Sequence, residues 1–185
     1  RSNILTEVRE DITAYLSQAT DLCYNERDLQ MRLAFWLVTK SQNAYDKVHL
    51  EYDVPVKELN LRLKEQGLSS YLWGNNLRMD LVVEKYGAFV PIELKYRTKR
   101  IKKSGGHNDR FGETMSSPVA VLKNQAAQNE GRYDFWKDVR RIELIAHSFR
   151  KVVGGIALFV TNDKSYFQKP NEKADYLRLN MSPGI

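Results

Sequence analysis

Arg78-Met79-Asp80-Leu81-Val82-Val83, Glu84-Lys85-Tyr86-Gly87 and Ala88-Phe89-Val90-Pro91-Ile92-Glu93-Leu94-Lys95 follow one another without a break. Two apolar runs with strand-like alternation flank a short segment containing Gly87, a pattern that predicts a β-hairpin. A turn centred on Tyr86-Gly87 pairs Val83 with Val90 and Leu81 with Ile92, and sets Asp80 opposite Glu93. Directly opposed residues hold their Cβ atoms about 4.5–5.5 Å apart, where like charges repel. A fold tolerates that repulsion most readily when a cation sits between the carboxylates. Strand alternation also puts Lys95 on the face of Glu93, with Ile92 and Leu94 on the other. The hairpin is therefore expected to build two carboxylates and an amine into one pocket edge.

Outward from the hairpin the periodicity changes. Ile4, Leu5, Val8, Ile12, Tyr15 and Leu16 recur at helical spacing, which predicts an amphipathic helix. Asn25 suits the N-cap of a second helix, with Glu26 and Asp28 in its first turn and Leu29, Leu33, Trp36 and Leu37 as its apolar positions. Val48-His49-Leu50-Glu51-Tyr52-Asp53-Val54 predicts a strand stopped by Pro55. Residues 57–76 admit a short helix, but Gly67, Ser69, Ser70 and Gly74 give them a loop-like composition.

Beyond the hairpin, Ser104-Gly105-Gly106-His107-Asn108-Asp109 reads as a loop, either a plain connection or a segment that closes over substrate. A helix is expected over residues 133–149, with Phe135, Val139, Ile142, Ile145 and Phe149 on one stripe. Ile156-Ala157-Leu158-Phe159-Val160 is an unbroken apolar run, expected as a central strand. Strand, crossover helix and strand imply a parallel pair with a right-handed connection. The element order is αβββαβ, an α/β fold with a mixed central sheet flanked by helices. One domain over residues 1–185 is expected, with its core over roughly residues 22–162.

A chain of 185 residues is long enough to bury a real core. Apolar content of 42% with 11% aromatics argues against disorder. No apolar run reaches the ~20 residues that span a bilayer, so no membrane partner is expected. Cys23 is the only cysteine and cannot form an internal disulfide, which suits a reducing cytoplasm. One cysteine and three histidines also argue against structural zinc. Any metal would be held by oxygen, which points to Mg²⁺ or Mn²⁺. Phosphate-cradling, dinucleotide-binding and nucleophile-elbow motifs are all missing.

The net charge of +6 points to a polyanionic partner. Lys95, Arg97, Lys99, Arg100, Lys102 and Lys103 fall within nine residues. Such a run is either a solvated strand end or a set of phosphate contacts; its direct continuation from the hairpin favours the contacts.

Asp80, Glu93 and Lys95, with Leu94 between the last two, resemble the motif of the PD-(D/E)XK superfamily, the restriction-endonuclease-like nucleases. Met79 stands where that family usually has proline, a position that varies widely. The αβββαβ order is also the family's core, so the resemblance covers most of the chain. It implies a Mg²⁺-dependent endonuclease that hydrolyses phosphodiester bonds, in DNA in preference to RNA. Asp80 and Glu93 would then be the metal ligands, with the Leu94 carbonyl as an extra oxygen. Lys95 would orient the attacking water or stabilise charge in the transition state; its bland reading is a salt bridge with Asp80 or Glu93.

The family often places a glutamate on the first core helix, which Glu26 matches. A first-turn acid also simply complements the helix macrodipole. Glu51 is a lower-ranked candidate for the same place. Some relatives carry a glutamine after the Glu-x-Lys strand; Gln125 is either that residue or an ordinary polar one. In the later helix, Asp134 or Asp138 would pair with Arg140 or Arg141 at helical spacing, and these two arginines are weaker candidates for further phosphate contacts. His107 is the histidine to watch. A homodimer is compatible with the resemblance, since cutting two strands takes two sites. The rival reading is a non-catalytic module on the same fold that binds nucleic acid or protein; the intact Asp80, Glu93 and Lys95 favour the enzyme.

Overall fold

A computed structural model of the chain describes residues 3–19, 23–103, 112, 114, 119–125, 128–168, 179 and 181. Along the chain run helices α1 (Ile4–Gln18) and α2 (Glu26–Thr39), strand β1 (Lys47–Val54), helix α3 (Val56–Glu65), and strands β2 (Leu77–Lys85) and β3 (Ala88–Arg97). Strands β4 (Ile101–Lys103) and β5 (Val119–Leu122), helix α4 (Gln128–Ser148) and strand β6 (Ile156–Thr161) follow. The chain divides into two compact units, residues 1–95 with 135–158, and residues 96–134 with 159–185. The fold is α/β, with a mixed four-stranded sheet in the order β1-β2-β3-β6 and a separate two-stranded sheet of β4 and β5.

The hairpin forms in the expected register: β2 and β3 are antiparallel, with Val83 opposite Val90 and Leu81 opposite Ile92. Tyr86 and Gly87 both have positive φ, +52° and +72°, as a two-residue turn matching the strand twist requires. Asp46 Oδ2 accepts the Tyr86 N–H at 2.6 Å and helps hold the less usual left-handed tyrosine.

Local chemistry explains the helices. Asn25 Oδ1 accepts the Asp28 N–H at 2.8 Å and caps α2. Asn3 does the same for α1 through the Leu5 N–H. Residues 57–76 do carry a helix, because α3 buries Leu59 and Leu63 one turn apart and Arg62 Nε donates to Glu58 Oε1 at 2.7 Å. The loop-like composition takes hold only from Gly67, whose φ is +74°.

Two expectations need correction. Helix α4 starts at Gln128, five residues ahead of the expected 133. Tertiary contacts in the second unit support that first turn. Arg132 Nη2 donates to the Ser165 carbonyl at 2.8 Å, and a Cβ on Gly131 would stand 2.6 Å from the Tyr166 hydroxyl. Strand β6 is outermost in the sheet, not central, and all six of its residues are half-buried. An apolar run reports what covers a strand's faces; it does not count hydrogen-bonded neighbours.

One face of the sheet packs Met79 and Val82 against Leu59 and Leu63 of α3 and Ile142 and Ile145 of α4. Burying each such side chain stabilises the fold by about 1.5–3 kcal/mol. Among the described residues no helix is long and apolar enough to cross a membrane.

Candidate functional site

Both ladders of β2 break at Asp80. Strand β1 pairs with β2 through Tyr52–Met79 and Leu50–Leu81 in one register, but the intervening pair, Glu51 with Asp80, is missing from the ladder. Glu51 has φ of +51°, uncommon for a glutamate and a mark of local distortion. Met79 and Val82, three positions apart, consequently share one core cluster, where plain alternation would separate them.

Gln30 of α2, 3% exposed, fills the break. Its Nε2 donates to the Asp80 carbonyl at 2.7 Å and to Glu51 Oε1 at 2.9 Å. Arg27 Nη1 in turn donates to Glu51 Oε1 at 2.7 Å and to Gln30 Oε1 at 2.6 Å.

On the other side, the β2–β3 ladder stops at Leu81–Ile92. The expected direct opposition of Asp80 and Glu93 is replaced by a splayed arrangement. Asp80 Oδ2 accepts the Leu94 N–H at 2.7 Å, so a backbone donor takes up a carboxylate that strict pairing would press against another. The two acids still feel each other. Burial first, and then the Asp80 charge, push the Glu93 carboxyl up to about 8, against the opposing pull of Arg141.

Helix α4 closes the site. Arg141 Nη1 donates to Glu93 Oε1 at 2.7 Å and lies 3.3 Å from Asp138 Oδ1. Asp138 Oδ2 is 2.8 Å from Lys95 Nζ. Strand alternation brings Glu93 and Lys95 to the same side, as expected, and the i,i+3 step brings Asp138 and Arg141 to meet them. The bland reading of Lys95 as a partner of Asp80 or Glu93 is not what forms. Its ion pair is with Asp138, a carboxylate 1% exposed. Burial opposes the charge on Lys95, but Asp138 outweighs it, and Glu26 and Glu93 add to the rise of its pKa. Glu26 stands at the first position of α2 and thus acts on Lys95 through its field. Glu51 is engaged by Arg27 and Gln30.

Around this point Asp80, Glu93 and Asp138 lie with two cations, Lys95 and Arg141, and Glu26 acts on Lys95 through its field. Asp80 Oδ1 and Glu93 Oε2 accept no hydrogen bond from any described residue. Among the described residues no group of three or more His, Cys, Asp or Glu side chains gathers as a ligand set. Mg²⁺ does not require one, since it is commonly held by one or two carboxylates and completes its shell with water and phosphate. Two neighbouring acids with an oxygen each to spare are donors of the kind that suits a hard divalent cation.

The second unit holds the residues of the basic run beyond Lys95, together with Gln125. Arg97 Nη2 donates to Asp134 Oδ2 at 2.9 Å, while Lys99, Arg100 and Lys102 are exposed. Asn162 clamps the Lys99 backbone from both sides, its Oδ1 accepting the N–H at 2.6 Å and its Nδ2 donating to the carbonyl at 3.0 Å. Lys103 ends β4. Gln125 clamps Thr98: its Oε1 accepts the Thr98 N–H and its own N–H donates to the Thr98 carbonyl. That is the role of an ordinary polar residue. In the first unit, Arg140 pairs with Glu143, while the expected helical pairing forms between Asp138 and Arg141. His107 and the loop at 104–109 lie outside the described residues.

Gln30 is a site residue that sequence reasoning did not name. Asp138 and Arg141, expected as a helical pair with Arg141 a weaker phosphate contact, were not expected to meet Lys95 and Glu93. The Asp138–Arg141 spacing was a visible signal; their reach to Lys95 and Glu93 was not. Comparison with protein-family models, with curated proteins and with solved structures gave no match.

Proposed function

We propose that the chain is a divalent-metal-dependent nuclease that hydrolyses phosphodiester bonds, in DNA, on a restriction-endonuclease-like fold of the PD-(D/E)XK kind. The observation that carries this reading is the convergence of Asp80, Glu93 and Lys95 where the β2–β3 ladder splays. Asp80 and Glu93 would hold Mg²⁺ or Mn²⁺, which supplies charge neutralisation at the phosphoryl and leaving oxygens and activation of water.

The chain's own residues do the positioning. The Leu94 N–H fixes the Asp80 carboxylate while Gln30 fixes its carbonyl. Lys95, kept charged by Asp138, is the group to orient the attacking water or meet charge developing on the phosphoryl oxygens. Lys99, Arg100 and Lys102 supply phosphate contacts, which set position and salt dependence but not sequence preference.

The test is incubation of plasmid, linear duplex, single-stranded DNA and RNA with Mn²⁺ or Mg²⁺, beside a Lys95→Ala control. Cutting of DNA by the wild type alone, abolished by chelation, is the expected result. Binding without cutting, matched by the control, would replace the enzyme with a nucleic-acid-binding module.

A further inference from the structure

We infer that Arg141 is the resident counter-cation of the Asp80–Glu93 pair, and that it yields Glu93 to an incoming divalent cation while keeping Asp138. The inference rests on the metal-dependent reading above. Its basis is a single guanidinium nitrogen shared between two buried acids. Arg141 Nη1 is 2.7 Å from Glu93 Oε1 and 3.3 Å from Asp138 Oδ1. The Glu93 and Asp138 side chains are 4% and 2% exposed, and that of Arg141 is 21% exposed.

A buried carboxylate left without a partner is strongly destabilising. Glu93, when ionised, therefore needs Arg141 if no metal is present. A guanidinium does not deprotonate in proteins, so it can give up the site only by moving. Asp138 makes that move small, because it already stands within ion-pair distance and is anchored through its other oxygen by Lys95. Once Glu93 is taken by a cation, the guanidinium turns on Asp138 and its partly exposed donors become available to the anionic substrate. The ion pair of the metal-free protein thus becomes a phosphate contact of the loaded one.

The test is calorimetric titration of Mn²⁺ into the wild type, Arg141→Met, Asp138→Asn and Arg140→Met. Arg140 carries the same charge one residue away but pairs with Glu143. Removing the competing cation should tighten Mn²⁺ binding by about tenfold or more in Arg141→Met. Asp138→Asn leaves Arg141 with Glu93 as its only anion, and should weaken binding by about threefold or more. Arg140→Met should stay within about twofold of the wild type, because an exposed charge is screened. Cleavage by Arg141→Met at saturating Mn²⁺ should nevertheless fall, opposite in sign to its affinity.

Should Arg141→Met fail to fold, the inference stands or falls on the isosteric Asp138→Asn, whose affinity must drop. Equal or weaker Mn²⁺ binding in Arg141→Met, or no loss in Asp138→Asn, would overturn the inference and leave the nuclease reading intact. No Mn²⁺ binding by the wild type would overturn both.

Discussion

The inward stripe of α4 changes character within one turn. Ile142 and Ile145 pack on Met79 and Val82 in an apolar cluster. Asp138 and Arg141, on the same stripe, meet Lys95 and Glu93 as ions. Apolar burial on this scale stabilises a fold directly, whereas buried ion pairs often contribute nothing net once desolvation is counted. The strained part of the sheet lies in the ionic half, where Glu51 is left-handed and both ladders of β2 lack a pair at Asp80. The difference teaches that the two halves answer to different demands: the apolar half holds the helix to the sheet, and the ionic half holds a charge distribution.

That contrast can be broken in order of size. Asp80→Ala and Lys95→Ala should each lower cleavage by about a thousandfold or more, roughly 4 kcal/mol of barrier. The melting temperature of Asp80→Ala should stay within a few degrees of the wild type. That of Lys95→Ala should fall further, since buried Asp138 is left to Arg141 alone. Ile145→Ala should do the reverse, costing about 2–4 kcal/mol in urea denaturation. Its cleavage rate per folded molecule should not change; a rate loss matching that of Lys95→Ala would erase the division of labour.

Smaller changes sharpen it. Glu26→Ala should slow cleavage by about tenfold, since the residue acts on Lys95 through space, and should cost less than about 1 kcal/mol of stability. Equal losses would reduce Glu26 to a helix-terminus acid. Lys99→Ala, Arg100→Ala and Lys102→Ala together should leave stability alone. They should lower the salt slope of duplex binding by about 0.9 for each phosphate that is no longer neutralised. An unchanged slope would return these residues to solvent.

Much of the arrangement was legible in residue order. Tyr86-Gly87 set the hairpin register, Asn25 marked the start of α2, and strand alternation put Glu93 and Lys95 on one side. These signals are local, and local geometry survives folding. What escaped the sequence depends on distant partners. Gln30 is an ordinary polar residue until Asp80 and Glu51, far along the chain, bring their oxygens to it. Asp138 and Arg141 read as a plain i,i+3 helix pair, because nothing in α4 announces which strand it will face. The β4–β5 pairing and the early start of α4 likewise arise from contacts across long stretches of chain.

The most direct test of the ionic half pairs stability with activity in Glu93→Gln. Burial and Asp80 raise the Glu93 carboxyl from its ordinary 4.5 to about 8. A raised folded-state pKa contributes stability that is fully present below about 4.5 and is lost as pH climbs through about 8. Without metal, the wild type should therefore lose roughly 1–3 kcal/mol between pH 5 and pH 9 from this residue. Glu93→Gln should be spared that loss, be the more stable protein at pH 9, and cut no DNA. A Glu93→Gln protein less stable than the wild type at pH 9 would contradict the account, because Glu93 would then be part of what holds the fold together.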